Sequence, residues 1–354
     1  MLDLTASSAD ITRTICDIPS VSGDEGHLAD LIEEAMRAYP HLDVLRDGDT
    51  IIARTTQGRA QRVVIAGHID TVPINRNVPT RDVVIDGEDV IWGRGTVDMK
   101  AGVAVQLKLA AELVAPRVDI TWIWYDHEEV DAELNALTRL ARTRPELFAG
   151  DFAILGEPSG AEVEGGCNGH MRAIVRTRGV RSHSARSWVG ENAIHKAAPI
   201  LERLSVYEAR QVPVEGLVYR EGLNAVRIRG GIAGNVIPDV CEVEVNYRFA
   251  PNRSVAEAEA HVREVFEGYE VEVIDKAAGA RPGLDDPLAQ EFVAAVGATP
   301  RPKYGWTDVA RFSALGVPAV NYGPGDPHLA HHDEESVPVA QIEDVERGLR
   351  AWLS

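Results

Sequence analysis

The chain has 354 residues, more than one ordinary hydrophobic core organises, which implies two domains or one domain carrying a large insertion. Its 45% hydrophobic and 26% charged content is that of a globular protein, and no run approaches the roughly 20 apolar residues of a membrane span. A formal net charge of −19 without any basic run argues against nucleic acid as a partner, and a solvated surface accounts for most of that charge. The opening stretch MLDLTASSADITRTICDIPS has acids where an export signal has basic residues, and Cys16, Cys167 and Cys241 lie too far apart for a thiolate metal motif. The expected setting is a reducing cytoplasm.

Taken in chain order, DEGHLADLIEEAMRAY has helical apolar spacing, RVVIAGHID is a short strand and GVAVQLKLAAELV is again helical, followed by the strands DITWIWYD and DFAILGEP. Such alternation predicts an α/β fold around a mostly parallel sheet. The pattern changes between residues 169 and 280. There it reads strand MRAIVRTRG, helix ENAIHKAAPILERL, strands NAVRIRGG and DVCEVEVNYRF, helix SVAEAEAHVREVFEGY and strand EVEVID. This is the split βαβ order of a ferredoxin-like α+β domain. GARPGLDDP then leads back to the helix PLAQEFVAAVG, the strand VPAVNYG and the terminal helix QIEDVERGLRAWL. The expected organisation is a discontinuous domain, residues 1–168 and 281–354, with residues 169–280 inserted.

Histidines and acids collect just after the strands of the outer domain. His68 and Asp70 are two apart at a strand end, so both fall on one face and Asp70 can support His68 from behind. Asp98 follows the glycine-rich turn GRGTVD, Glu128 and Glu129 follow DITWIWYD, Glu157 follows DFAILG, and His331 follows VPAVNYG across a loop. In an open α/β sheet these strand ends share one edge, where ligands bind. Two imidazoles and three carboxylates suit zinc, with cobalt or manganese as substitutes, and exceed one tetrahedral shell. One carboxylate bridging two ions would satisfy the count.

GHIDTVP, GRGTVDMKAG, the Glu128-Glu129 pair, GEPS and AHHDEES together resemble the M20 family of metallopeptidases and amidohydrolases, over nearly the whole chain. The resemblance implies that His68 and Glu157 hold one zinc, Glu129 and His331 the other, and that Asp98 bridges them. It makes Asp70 the partner behind His68 and Glu128 the general base. His331 is preferred to His332 because the family pattern has a histidine four residues before a glutamate, here Glu335; His127 matches no ligand. The inserted domain becomes a lid and dimerisation domain. Its His183, in GVRSHSAR, resembles a histidine that reaches a partner subunit's site and stabilises the oxyanion.

Within the family, GCNGHMRAIV, RSHSARSWVGENAIHKAAPIL and IRGGIAGNVIPDVCEVEVNYRFAPN resemble the Gram-positive members that hydrolyse N-succinyl-LL-2,6-diaminopimelate for lysine and cell-wall synthesis. Members acting on acetylornithine, other aminoacylases and carboxypeptidases would share every metal residue. A non-catalytic metal-binding relative is the reading from another class. Arg248 and Asn235 are the expected substrate contacts, with Thr307 beside Trp306. Gly166-Cys167-Asn168 stands where relatives have an arginine, so one carboxylate contact must differ.

Overall fold

The computed structural model describes residues 2–354, which divide into two compact units. The first comprises residues 2–166, 282–301 and 307–354, and the second residues 167–281 and 302–306. Among the described residues no helix is long and apolar enough to cross a membrane.

The first unit is built on a mostly parallel sheet. Its centre contains β1 (Arg62–His68), β2 (Asp119–Tyr125), β3 (Phe152–Leu155) and β4 (Ala319–Asn321), in the order β2-β1-β3-β4, all parallel. Each is buried along almost its whole length, which is why these segments read as continuous apolar runs and not as alternation. The strands Asp43–Asp47 and Thr50–Arg54 extend the sheet antiparallel beside β2.

The helix Lys100–Glu112 packs on this sheet and is buried around nearly its full circumference, so its sequence lacks a polar face. Close approach is bought with glycine. A Cβ at Gly102 would sit 2.2 Å from the Gly156 carbonyl oxygen, and one at Gly323 equally close to the same atom. That oxygen lies at the end of β3, one residue before Glu157. The buried Lys100 ammonium donates to the carbonyls of Ile15 and Ile18 at 3.1 and 2.9 Å, so a cation closes the C-terminal end of the helix Ser8–Cys16.

The second unit is a four-stranded antiparallel sheet in the order 222–230, 240–249, 169–178, 270–277. Its strict alternation of burial along Gly169–Arg178 and Val240–Phe249 puts one face on the helices and leaves the other polar. The helix expected over ENAIHKAAPILERL is instead two, Ala193–Lys196 and Ala198–Ser205. Pro199 explains the break, because it has no amide to continue the ladder but fits a first turn. A hairpin, Gln211–Val214 with Leu217–Arg220, was not anticipated.

Candidate active site

β1 ends on His68, whose side chain is 1% exposed. Its Nδ1–H donates to the Asp70 carbonyl at 3.0 Å and lies 3.4 Å from the Asp70 carboxylate, which fixes the ring with Nε2 facing outward. Nε2 is 3.0 Å from Asp98 Oδ1. The other Asp98 oxygen, Oδ2, is 3.3 Å from His331 Nε2, and His331 Nε2 is 3.0 Å from Glu129. Single donor atoms of His68, Asp98 and Glu129 all fall within 4.8 Å of one another. The loop carrying His331 uses a left-handed conformation there, φ 67°, to aim the ring inward. His332 is exposed and makes none of these contacts.

Asp70 does more than sit behind His68. Its carboxylate accepts the main-chain N–H of Glu128 at 3.1 Å on Oδ1, and on Oδ2 that of Glu129 at 3.0 Å and the Ser22 hydroxyl at 2.6 Å. Both amides can point at one carboxylate because the preceding residue, His127, adopts φ 60°. His127 is held in that turn by Glu25, which accepts its N–H at 3.1 Å, and by Asp126 on its ring. His127 is therefore a structural residue of the turn.

The electrostatics follow from packing acids together. Burial, opposed by the charge on His68 and reinforced by Asp308, Glu157 and Glu129, pushes the Glu128 carboxyl well above the usual range. Burial also raises Glu129. Burial works against the ionised Asp70, yet hydrogen bonding and charge from His68 together with Ser22 and the Glu129 amide hold it down at about 2. Hydrogen bonds to Asp98 and Glu129 lift His331 to about 10. Burial disfavours the charged His68, but Asp70 and Asp98 prevail and raise it. Carboxylates that retain protons on two imidazoles would hold a metal cation in the same place, and the nitrogen and oxygen donors match the zinc class.

Glu157, just past β3, is 5% exposed and close enough for its charge to act on Glu128 and Tyr125. Beneath the acid pair lies a buried network that sequence reasoning missed. Asp308 accepts the Tyr125 hydroxyl and the Asn135 amide, both at 2.9 Å, and pairs with Arg311. The visible signal was an aspartate inside GWTDVARF, next to the residue chosen as a substrate contact. Thr307 itself is 5% exposed and its hydroxyl donates to Asn321 at the end of β4, at 2.9 Å.

The remaining candidates lie in the second unit. His183 pairs in register with Val236 and accepts the Ala185 N–H on Nδ1 at 3.0 Å. Asn235 is its neighbour, since its carbonyl accepts the Ser184 N–H at 2.9 Å. Arg248 is in register with His170 on the polar face, and Trp306 meets His170 edge-on while donating to the Ala278 carbonyl. At the Gly166-Cys167-Asn168 position Asn168 is buried and donates to the Arg220 carbonyl at 2.9 Å.

The model of peptidase family M20/M25/M40 matches residues 64–354. A succinyl-diaminopimelate desuccinylase of Corynebacterium glutamicum is 48% identical, with 100% of this chain and 98% of that protein covered. A Mycobacterium tuberculosis protein provisionally named for the same activity is 50% identical over 100% of this chain and 99% of its own length. Among solved structures, a tripeptidase from Staphylococcus aureus superposes with a TM-score of 0.80 at 21% identity, covering 100% and 98% of the two chains. A dinuclear metal binding peptidase of the M20 family from Bacillus subtilis has a TM-score of 0.70 at 16% identity, covering 98% and 96%.

Proposed function

The chain belongs to peptidase family M20/M25/M40, and on that premise we propose that it is a succinyl-diaminopimelate desuccinylase, a metal-dependent amidohydrolase releasing succinate and LL-2,6-diaminopimelate from N-succinyl-LL-2,6-diaminopimelate. The observation that carries the two-metal reading is the Asp98 carboxylate, with one oxygen at His68 and the other at His331. The substrate rests on full-length identity of 48–50% to proteins named for that reaction.

In this reading His68 and Glu157 would hold one zinc ion, Glu129 and His331 would hold the other, and Asp98 would serve both. Metal bound there would supply Lewis acidity toward the amide carbonyl and toward water near neutral pH. Glu128 takes the proton from the attacking water and returns it to the leaving nitrogen. Its affinity for a proton, raised by burial and the neighbouring acids, suits that shuttle, because a carboxyl that holds a proton more firmly than usual is a stronger base toward water. Asp70 holds the His68 ring and the Glu128 main chain at once, so base and ligand keep one spacing. His183 supplies a donor to the oxyanion, and Arg248, Asn235 and Thr307 address the substrate's carboxylates and amide.

The test measures free amine released from N-succinyl-LL-diaminopimelate and from N-acetylornithine, side by side, with zinc-loaded protein and a chelated control. Chelator-sensitive turnover of the succinyl substrate is expected. Preference for acetylornithine would overturn the substrate and leave the metal chemistry, and turnover of neither would overturn the desuccinylase reading.

The same proposal includes a homodimer formed through the second unit. The strand Gly222–Gly230 lies at its sheet edge and exposes Val226 and Ile228 by 54% and 50%, with Ile232 at 69% just beyond. An exposed apolar edge strand is a surface that proteins ordinarily cover. Sedimentation velocity is expected to give twice 38.5 kDa for the native chain and a monomer for Ile228→Glu; a native monomer would refute the dimer. Three buried free cysteines fit the cytoplasm, which cell fractionation checks.

A further inference from the structure

Glu335 entered the sequence reading only as a spacing mark, yet its carboxylate is 1% exposed and fully engaged. Oε1 accepts two main-chain amides, Val97 at 2.9 Å and Asp98 at 3.0 Å. Oε2 takes the Arg94 guanidinium at 2.8 Å, and the Glu335 carbonyl accepts the Gly93 N–H at 2.9 Å. Arg94, itself 4% exposed, reaches the His332 carbonyl at 3.3 Å with the same Nη1. Apart from the 3.8 Å approach of Arg94 to the Asp333 carboxylate, the outward contacts of this ion pair fall on main chain, at Val97 and Asp98 on one side and next to His331 on the other.

Local structure explains why a remote residue is needed. The helix after Asp98 begins at Lys100 with neither a side-chain cap nor an acid in its first turn, so amides before it need acceptors from elsewhere. Glu335 provides them from 237 residues away. A buried ion pair stabilises a fold weakly compared with apolar packing of the same volume. What it does well is fix geometry. Here the geometry is the separation between the carboxylate and the second imidazole, and ligand distances tolerate only about ±0.2 Å.

We propose that Glu335, acting through Arg94 and the Val97 and Asp98 amides, is a positioning residue that ties the Asp98 turn to the His331 loop and thereby sets occupancy of the Glu129–His331 metal site. The inference rests on the two-metal reading above. Glutamine at 335 would keep the shape but turn a donor toward either Arg94 or the amides, whichever way its amide flips. Lysine at 94 would retain the charge and lose the reach to the His332 carbonyl.

The experiment titrates cobalt and zinc into metal-stripped native protein, Glu335→Gln and Arg94→Lys by calorimetry, with metal content after gel filtration and thermal melts alongside. Two ions are expected in the native chain. In Glu335→Gln the first ion binds as before and the affinity for the second falls roughly 10–100-fold, with a smaller fall in Arg94→Lys. Excess metal restores kcat and leaves KM unchanged. Variants that melt earlier but bind both ions with native affinity would overturn the proposal, since a merely structural residue behaves that way. Should Glu335→Gln not fold, Arg94→Lys decides by the same criterion. A native protein that binds a single ion would instead overturn the two-metal reading, on an arm measured before any variant is compared.

Discussion

Glu128→Gln is expected to lower kcat roughly 10³-fold, a loss of about 4 kcal/mol of transition-state stabilisation, while metal content and melting temperature stay at native values. The main chain at this position is held from two directions. Its N–H is committed to Asp70 Oδ1, the next amide to Asp70 Oδ2, and the turn before it is fixed by Glu25. The amide side chain can therefore occupy the glutamate's place without moving Glu129, whose carboxylate meets His331. What changes is proton traffic alone. An amide neither accepts a proton from water nor delivers one to the departing nitrogen. KM should move little, because the group is used between substrate binding and product release. Unaltered kcat in a protein with native metal content would remove Glu128 from the mechanism, and lowered metal content would make it a ligand. The separation of these two outcomes is why stoichiometry is measured on the same sample.

Much of the fold was legible because its strongest signals are local. β1 to β3 and the strands of the second unit were read as strands, and the structure shows the physical imprint behind them: burial on both faces for the first, alternation of burial for the second. The hairpin Arg81–Ile85 with Glu88–Trp92 escaped notice because its strands are largely exposed and carry no such imprint. At the site, legibility came from topology. His68, Glu128, Glu129 and Glu157 follow parallel strands, so strand ends far apart in sequence had to share an edge.

What remained illegible depends on main-chain conformation and on partners distant in sequence. The spacing of His68 and Asp70 suggested that the carboxylate backs the imidazole; it lies 3.4 Å from the ring, the Asp70 carbonyl is the nearer partner at 3.0 Å, and the carboxylate also accepts two amides and the Ser22 hydroxyl. Nothing in HxD discloses that, since it requires His127 at positive φ. Asp308 escaped for a related reason. A lone aspartate in a helix-like segment has a surface role by default, and only the folded chain brings Tyr125 and Asn135 to it. Glu335 shows the same limit, with acceptors and donors more than 230 residues apart.

Asp98→Asn should be the most damaging single substitution in the metal site. An outer partner of a ligand already costs 10–100-fold in affinity or activity when lost, so a ligand shared by both ions should cost more than roughly 100-fold in kcat/KM. The geometry gives the reason. Asp98 has one oxygen 3.0 Å from His68 Nε2 and the other 3.3 Å from His331 Nε2, and asparagine keeps only one of them as a donor to a cation. The predicted content is one ion or fewer per chain. The same arithmetic governs stability, because an ion that binds only the folded chain raises the free energy of unfolding by RT ln(1 + [L]/Kd). Chelation should therefore lower the melting temperature of the native protein distinctly and that of Asp98→Asn by much less. If the variant kept two ions and the full chelator-dependent shift, Asp98 would be a neighbour of two separate sites and not the ligand that joins them; Glu129, which also meets His331 and lies within 4.8 Å of the His68 and Asp98 donors, would then be the residue to examine as the bridge.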